Sequence, residues 1–219
     1  MRLILVGPPG SGKGTQAKLL SKRLQLVHIG TGDILREAIR EKTPIGRKAE
    51  PYILKGQLVP DDVVNEMVAE RFRRDDRPDD FVIDGYPRTL AQAESFDQVL
   101  RQQFLDLTGV LLLCVDDDEI VRRMTGRLSC PVCKSTYHQV SKPPKEPGIC
   151  DVCQNRLIQR SDVREETVRE RLKYYHANTE GLIAHYQKQG LLHQISGVGP
   201  IEQIYDSILQ ELKQASPPC

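Results

Sequence analysis

The stretch that most limits the possible folds is an apolar run, Leu3-Ile4-Leu5-Val6. It passes directly into Gly7-Pro8-Pro9-Gly10-Ser11-Gly12-Lys13-Gly14-Thr15 and then into Gln16-Ala17-Lys18-Leu19-Leu20. A buried-type strand, a glycine-rich turn and a helix in that order make the first half of a strand–helix–strand unit. That commits the chain to a parallel sheet covered by helices. The same context makes the turn a phosphate-binding loop. Glycines let the backbone curl with no Cβ in the way, so successive N–H groups converge on an anion. The following helix brings its positive end to the same place, and Lys13 adds a full mobile charge. The strict pattern puts Ser or Thr directly after the lysine; here Gly14 intervenes and the hydroxyl comes at Thr15.

The alternation continues. Leu26-Val27-His28-Ile29 reads as a second strand running into Gly30-Thr31-Gly32-Asp33-Ile34-Leu35-Arg36, where Asp33 or Thr31 can cap a helix. Helical patterning runs through Ala38-Ile39, resumes from Ala49 to Leu54, and stops at Lys55-Gly56-Gln57-Leu58-Val59-Pro60. Asp61-Asp62 opens the next helix, with Val63, Val64, Met67, Val68 and Phe72 at core spacing. Phe81-Val82-Ile83 is a strand ending in Asp84-Gly85-Tyr86-Pro87-Arg88-Thr89, followed by a helix from Leu90 to about Gln103. Val110 to Val115 is a fully buried strand by composition, with Cys114 a small core residue. Asp116-Asp117-Asp118 caps a helix through Ile120, Val121 and Met124, and Asp162 with Glu165 has capping-box spacing for a long helix to Lys188. Gly190 stops it, Leu191 to Ser196 is a fifth strand, and a last helix begins at Pro200. In such a sheet ligands sit beyond the carboxyl ends of the strands. The loops at Gly7–Thr15, Thr31–Arg36, Asp84–Thr89 and Gly197–Pro200 should therefore converge on one crevice.

Residues 126–161 break this pattern with prolines, polar residues and two cysteine pairs, Cys130-Pro-Val-Cys133 and Cys150-Asp-Val-Cys153, separated by sixteen residues. That spacing matches a four-cysteine zinc site, in which a metal replaces the apolar core so short a segment cannot build. With every position filled by a thiolate the role is structural, and iron or cobalt fits the same ligands. Compartment enters here. The first apolar run ends at Val6, too short for a secretory signal, and no later run has the length of a membrane span. A cytoplasmic chain is expected, where cysteines serve as thiols or ligands rather than disulfides. The 31 Lys and Arg against 30 Asp and Glu argue against a nucleic-acid binder, so any positive field must be local.

Arg36, Arg88, Arg123, Arg127, Arg160 and Arg171 lie near expected strand ends, helix starts or lobe boundaries. Phosphoryl transfer needs several fixed cations around the migrating group, because its catalysis is mostly positioning and charge stabilisation. Taken with Gly7 to Thr15, Thr31 to Arg36, Asp84 to Thr89 with Gln92, Gly126-Arg127, the four cysteines, and Arg160 through Arg171, the chain resembles the bacterial adenylate kinases of the long-lid, zinc-containing type. Gly14 before Thr15 matches the Gly-Lys-Gly-Thr of that family.

The resemblance implies a phosphate-loop α/β fold with a five-stranded parallel sheet. Residues 1–29, 60–125 and 164–219 would form a core, 30–59 a lobe for the nucleoside monophosphate, and 126–163 a zinc-ribbon-like lid. It implies ATP held by Gly10, Ser11, Gly12, Lys13, Gly14 and Thr15, with Arg123, Arg127, Thr136, Tyr137 and Gly199. AMP would lie on Thr31, Arg36, Gln57, Leu58, Val59, Gly85, Tyr86, Pro87, Arg88 and Gln92, with Arg160 and Arg171 clamping the transferred phosphate. Lys13, Arg88, Arg127, Arg160 and Arg171 would be catalytic, and Thr15 and Asp84 would hold Mg2+ indirectly. Gln92 suits a base contact because an amide both donates and accepts. The implied reaction is ATP plus AMP to two ADP in a monomer, with lid closure excluding water. A UMP/CMP or GMP kinase and a non-enzymatic zinc-ribbon nucleic-acid module are the alternatives. Two positions depart from the family: Val163 stands where a second acidic residue is common, and Tyr86 where Phe is common, so a buried Tyr86 hydroxyl needs a partner.

Overall fold

The period-2 alternation of β1 (Arg2–Val6) decides where the two cores lie. Leu3 and Leu5 point to one face of a sheet and Ile4 and Val6 to the other, and each pair belongs to a different apolar cluster. The structure is a computed structural model that describes residues 1–54, 59–159 and 163–215. Around β1 it places β2 (Val27–Gly30), β3 (Phe81–Asp84), β4 (Gly109–Cys114) and β7 (Leu192–Ser196) in a five-stranded sheet of order β2-β3-β1-β4-β7. Every pairing is parallel; Leu3, for example, faces Val82 on one side and Gly109 on the other.

One face of the sheet is covered by α1 (Lys13–Leu24) and α8 (Ile201–Ala215), which bring Ala17, Leu20, Ile204 and Ile208 against Leu3, Leu5, Leu111 and Leu113. The other carries α4 (Asp61–Arg73) and α5 (Leu90–Gln102). There Phe72, Phe81, Phe96 and Tyr86 meet edge to face, with ring centroids 5.1–6.3 Å apart. The same cluster takes in Leu35 of α2 (Thr31–Arg40) and Ala49 of α3 (Pro44–Leu54). α3 begins earlier than its apolar pattern suggests, because the Thr43 hydroxyl accepts from Gly46 N at 3.0 Å and caps the helix.

By packing, one compact unit comprises Met1–Gly7, Ser11–Cys114 and the residues from His176 on. A second comprises Pro8–Gly10 and Val115–Tyr175. The second unit contains α6 (Asp117–Thr125), an antiparallel hairpin of β5 (Arg127–Ser129) and β6 (Thr136–His138), and the first part of α7 (Glu165–Lys188). Val163 is buried there among Ile120, Val121, Met124, Val168 and Leu172. The position expected to depart from the family pattern is thus an apolar contact. Cys114 corrects the reading of β4 as buried throughout: the first five residues are buried and Cys114, at the strand end, is exposed. No helix among the described residues is long and apolar enough to cross a membrane.

Candidate active site

At the carboxyl end of β1 the chain turns through Gly12, at φ 100°, where a Cβ would meet nothing within 4 Å. The open space and the left-handed backbone together leave a concave surface of main chain. α1 starts at Lys13, and its first bonds run from Thr15 N and Gln16 N to Gly12 O, each at 3.0 Å. The N–H groups ahead of them are the orphan donors of a helix start, the arrangement that receives anions. Lys13 Nζ reaches back to Gly7 O at 2.8 Å and lies 3.4 Å from Ser11 Oγ, itself buried. The ammonium is thus held over its own loop. Gly7 must be glycine for space, since a Cβ would lie 2.7 Å from Leu113 O. Thr15 is exposed, and Gly10 sits in the second unit beside Met124.

Next to this loop stands the end of β3. A Cβ on Gly14 would lie 3.1 Å from Asp84 Oδ2, so the carboxylate faces the start of α1. The hydroxyl of the buried Thr31 donates to Asp84 O at 3.3 Å. Gly85 comes so near that its Cβ would lie 2.9 Å from Thr31 Oγ1. The loops after β1, β2 and β3 thus come together, as the sheet topology requires. Arg36 pairs with Asp33 at 2.7 Å on the exposed side of α2; burial opposes ionisation of Asp33, but the Arg36 bond and charge outweigh it and hold the carboxyl below its usual range. His28 carries the opposite balance: burial pushes it below the ordinary histidine value against the pull of Asp84.

After β3 the chain passes through the cis bond Tyr86–Pro87 to Arg88, whose Nε donates to Gly85 O at 2.7 Å. The buried Tyr86 hydroxyl finds its partners in Asn65 Oδ1 at 2.7 Å and Gln92 O at 3.1 Å, which answers the departure noted above. Gln92 is tied at both ends: Oε1 accepts from Arg88 N and Nε2 donates to Asp61 Oδ1, each at 2.7 Å. Nothing in the sequence singled out Asp61 for this. Val59 is buried, Gly199 is exposed after β7 with φ 126°, and Gln57, Leu58 and Arg160 lie outside the described residues.

In the second unit the two cysteine pairs form matching turns. Lys134 N bonds to Cys130 O at 3.2 Å and Gln154 N to Cys150 O at 2.9 Å, and both Lys134 and Gln154 have φ near 60°. Cys130 N and Cys150 N bond in turn to Ser135 O and Asn155 O, each at 2.9 Å. The four sulfurs lie within 4.8 Å of one another, with Cys130–Cys153 at 3.3 Å and Cys133–Cys150 at 3.4 Å. A tetrahedron with Zn–S bonds of about 2.3 Å has edges of about 3.8 Å, so the donor set fits. Tyr137 is drawn into this module: it is 5% exposed and its hydroxyl accepts from Asp151 N at 2.8 Å. His138 is a structural tie. Its Nδ1 accepts from Val140 N and Ser141 N at 3.1 and 3.0 Å, so the proton sits on Nε2, which points to Arg122 O at 3.3 Å. The imidazole lies where a Cβ of Gly126 would be, which explains the glycine before Arg127. Thr136 pairs with Ser129 across the hairpin. Arg127 is half-buried at the start of β5, Arg171 is half-buried on α7, and Arg123 Nε donates to Glu119 at 2.6 Å on α6.

Comparison with known proteins places the chain in a family. The family described as Adenylate kinase matches residues 5–191. The adenylate kinase of Caldicellulosiruptor saccharolyticus is 48% identical over 213 residues, 97% of this chain and 98% of that protein. Those of Finegoldia magna and Archaeoglobus fulgidus are 46% and 45% identical, covering 98% and 97% of this chain and the whole of each relative. With agreement at this level along nearly its full length, the chain belongs to the adenylate kinase family.

Proposed function

We propose that this chain transfers the γ-phosphoryl group of ATP reversibly to AMP, yielding two ADP. The observation that carries this reading is the convergence, in one unit, of a lysine-bearing helix start with the Thr31 and Asp84–Arg88 loops. A single nucleotide needs only the first of these. ATP phosphates lie on Gly10 to Thr15, with Arg123, Arg127, the Thr136-Tyr137 strand and Gly199 on the same nucleotide. AMP lies on Thr31, Arg36, residues 57–59, Gly85 to Arg88 and Gln92. Lys13, Arg88, Arg127, Arg160 and Arg171 balance charge on the migrating group, which needs no covalent intermediate. The lobe at 30–59 and the lid at 126–163 belong to the closing parts, and closure excludes water.

Two metals fit the residues present. The Thr15 hydroxyl and Asp84 carboxylate are hard oxygen donors beside the phosphate loop and suit Mg2+ carried by ATP through water; the ion supplies charge neutralisation on the phosphates. The four cysteines suit Zn2+, which holds the lid residues in place. The chain acts as a cytoplasmic monomer. The test is a coupled assay with MgATP and a panel of AMP, GMP, CMP and UMP. AMP is expected to be the preferred acceptor by at least tenfold. Preference for a pyrimidine monophosphate, or ATP hydrolysis without any acceptor dependence, would refute the reading.

A further inference from the structure

An amide side chain can turn over and exchange donor for acceptor, which makes a glutamine a poor discriminator when it stands alone. Gln92 does not stand alone. Its Nε2 faces Asp61 Oδ1 and its Oε1 faces Arg88 N, both at 2.7 Å. A carboxylate only accepts and a backbone N–H only donates, so chemistry permits one orientation of the amide. Asp61 is fixed in turn. Its Oδ2 takes the Thr89 hydroxyl at 2.6 Å, and Thr89 caps α5 by accepting from Gln92 N at 3.1 Å. Asp61, Thr89 and Gln92 therefore close a ring of hydrogen bonds joining the starts of α4 and α5. Gln92 is 3% exposed, and these two bonds leave its amide one N–H and one lone pair for a ligand.

We propose that Asp61 is a positioning residue for acceptor specificity: by pinning the polarity of the Gln92 amide it selects a 6-amino purine over a 6-oxo purine. The inference rests on the reading of Gln92 as a base contact. Adenine presents a donor at N6 beside an acceptor at N1, whereas hypoxanthine presents an acceptor at O6 beside a donor at N1. An amide free to turn serves either edge. A pinned one pairs with the first and sets oxygen against oxygen and N–H against N–H with the second, so the wrong base is rejected by repulsion. Thr89 and Arg88 serve the same end, one by anchoring the carboxylate and the other by holding the amide oxygen.

The test compares kcat/KM for AMP and for IMP, with KM for MgATP, in the wild-type protein, Asp61→Ala, Gln92→Ala and the double variant. Asp61→Leu keeps the branched outline of the side chain while removing both acceptors, and it replaces Asp61→Ala if that variant does not fold. The AMP/IMP ratio is expected to fall about threefold or more in Asp61→Ala, where Arg88 N alone still favours one orientation of the amide, with KM for MgATP within twofold of wild type. The double variant should match Gln92→Ala, because Asp61 acts through Gln92. A purely structural role would lower both acceptors together and leave the ratio in place. A ratio unchanged in folded Asp61 variants but reduced in Gln92→Ala overturns the proposal alone. A ratio unchanged in Gln92→Ala overturns the base-contact reading, and the proposal with it.

Discussion

Lys13→Met separates the chemistry of the phosphate loop from its contribution to folding. In the structure the ammonium is spent on the loop itself, 2.8 Å from Gly7 O and 3.4 Å from Ser11 Oγ. A hydrogen bond to a charged group contributes about 1.5–3 kcal/mol when well formed. Lys13 is only partly buried and methionine keeps most of the stem, so the loss should be nearer 1 kcal/mol. For a chain of 219 residues that lowers Tm by about 2–4 °C. The transition state is more demanding. Removing one aimed donor from a site of charge development costs about 2.7–4 kcal/mol, or 100- to 1,000-fold in kcat. The variant is therefore expected to unfold within about 4 °C of wild type while its kcat falls by at least 100-fold. A thermal melt gives the first number and a coupled assay at saturating ATP and AMP gives the second. Activity within threefold of wild type would refute the assignment of the loop. A fall in Tm beyond about 10 °C would refute the claim that the ammonium acts on substrate rather than on the fold.

Other perturbations address the rest of the molecule. Phe96→Ala removes a fully buried ring that meets Phe72, Phe81 and Tyr86 at 5.3, 6.3 and 5.5 Å; about 3–5 kcal/mol should be lost, and a melt should show a drop of about 10 °C. A Tm within 2 °C of wild type would contradict that packing. Cys130→Ser, or removal of metal by a chelator, should open residues 126–163 to limited proteolysis while the sheet keeps its far-UV signal, because the module buries little besides Cys130, Tyr137 and Cys150. An unchanged digestion pattern would count against a metal-held module. His28 gives the pH dependence. Its pKa is lowered by burial, and its Nε2 has no hydrogen-bond partner among the described residues. The unfolded chain therefore binds the proton more readily, and the stability gained from neutral His28 is complete above about pH 6.5 and is lost as pH falls below it. His28→Gln should flatten the decline in Tm between pH 7.5 and pH 5.5; an identical decline in both proteins would show that other groups set it.

What could be read from the sequence was what local chemistry dictates. The strand, loop and helix at Leu3 to Leu20 follow from one pattern of residues, and the structure returns β1, the Gly12 turn and α1 at those places. The two cysteine pairs were equally legible, since each pair closes its own short turn and four thiols within 4.8 Å need only the two turns to meet. Long-range pairings were not. The exposure of Cys114 depends on where the neighbouring strand stops: β7 ends at Ser196, the partner of Cys114. Gly126 has its reason twelve residues away in the His138 ring, and the hairpin joining them was invisible in so polar a segment.

Gln92 shows most sharply where the limit falls. Read alone, it is a solvated helix residue or an amide suited to a base, and composition does not choose between them. The structure adds its partners: Asp61, 31 residues earlier, and Arg88 N. Between them they remove the amide's freedom to turn and with it the ambiguity of what it can recognise. The loop proposed to cradle phosphate is built from main chain and one lysine, so its signature is contiguous and survives in sequence. The part proposed to tell one base from another is built from a bonded set assembled by the sheet. It becomes legible only when α4 and α5 are seen to start side by side.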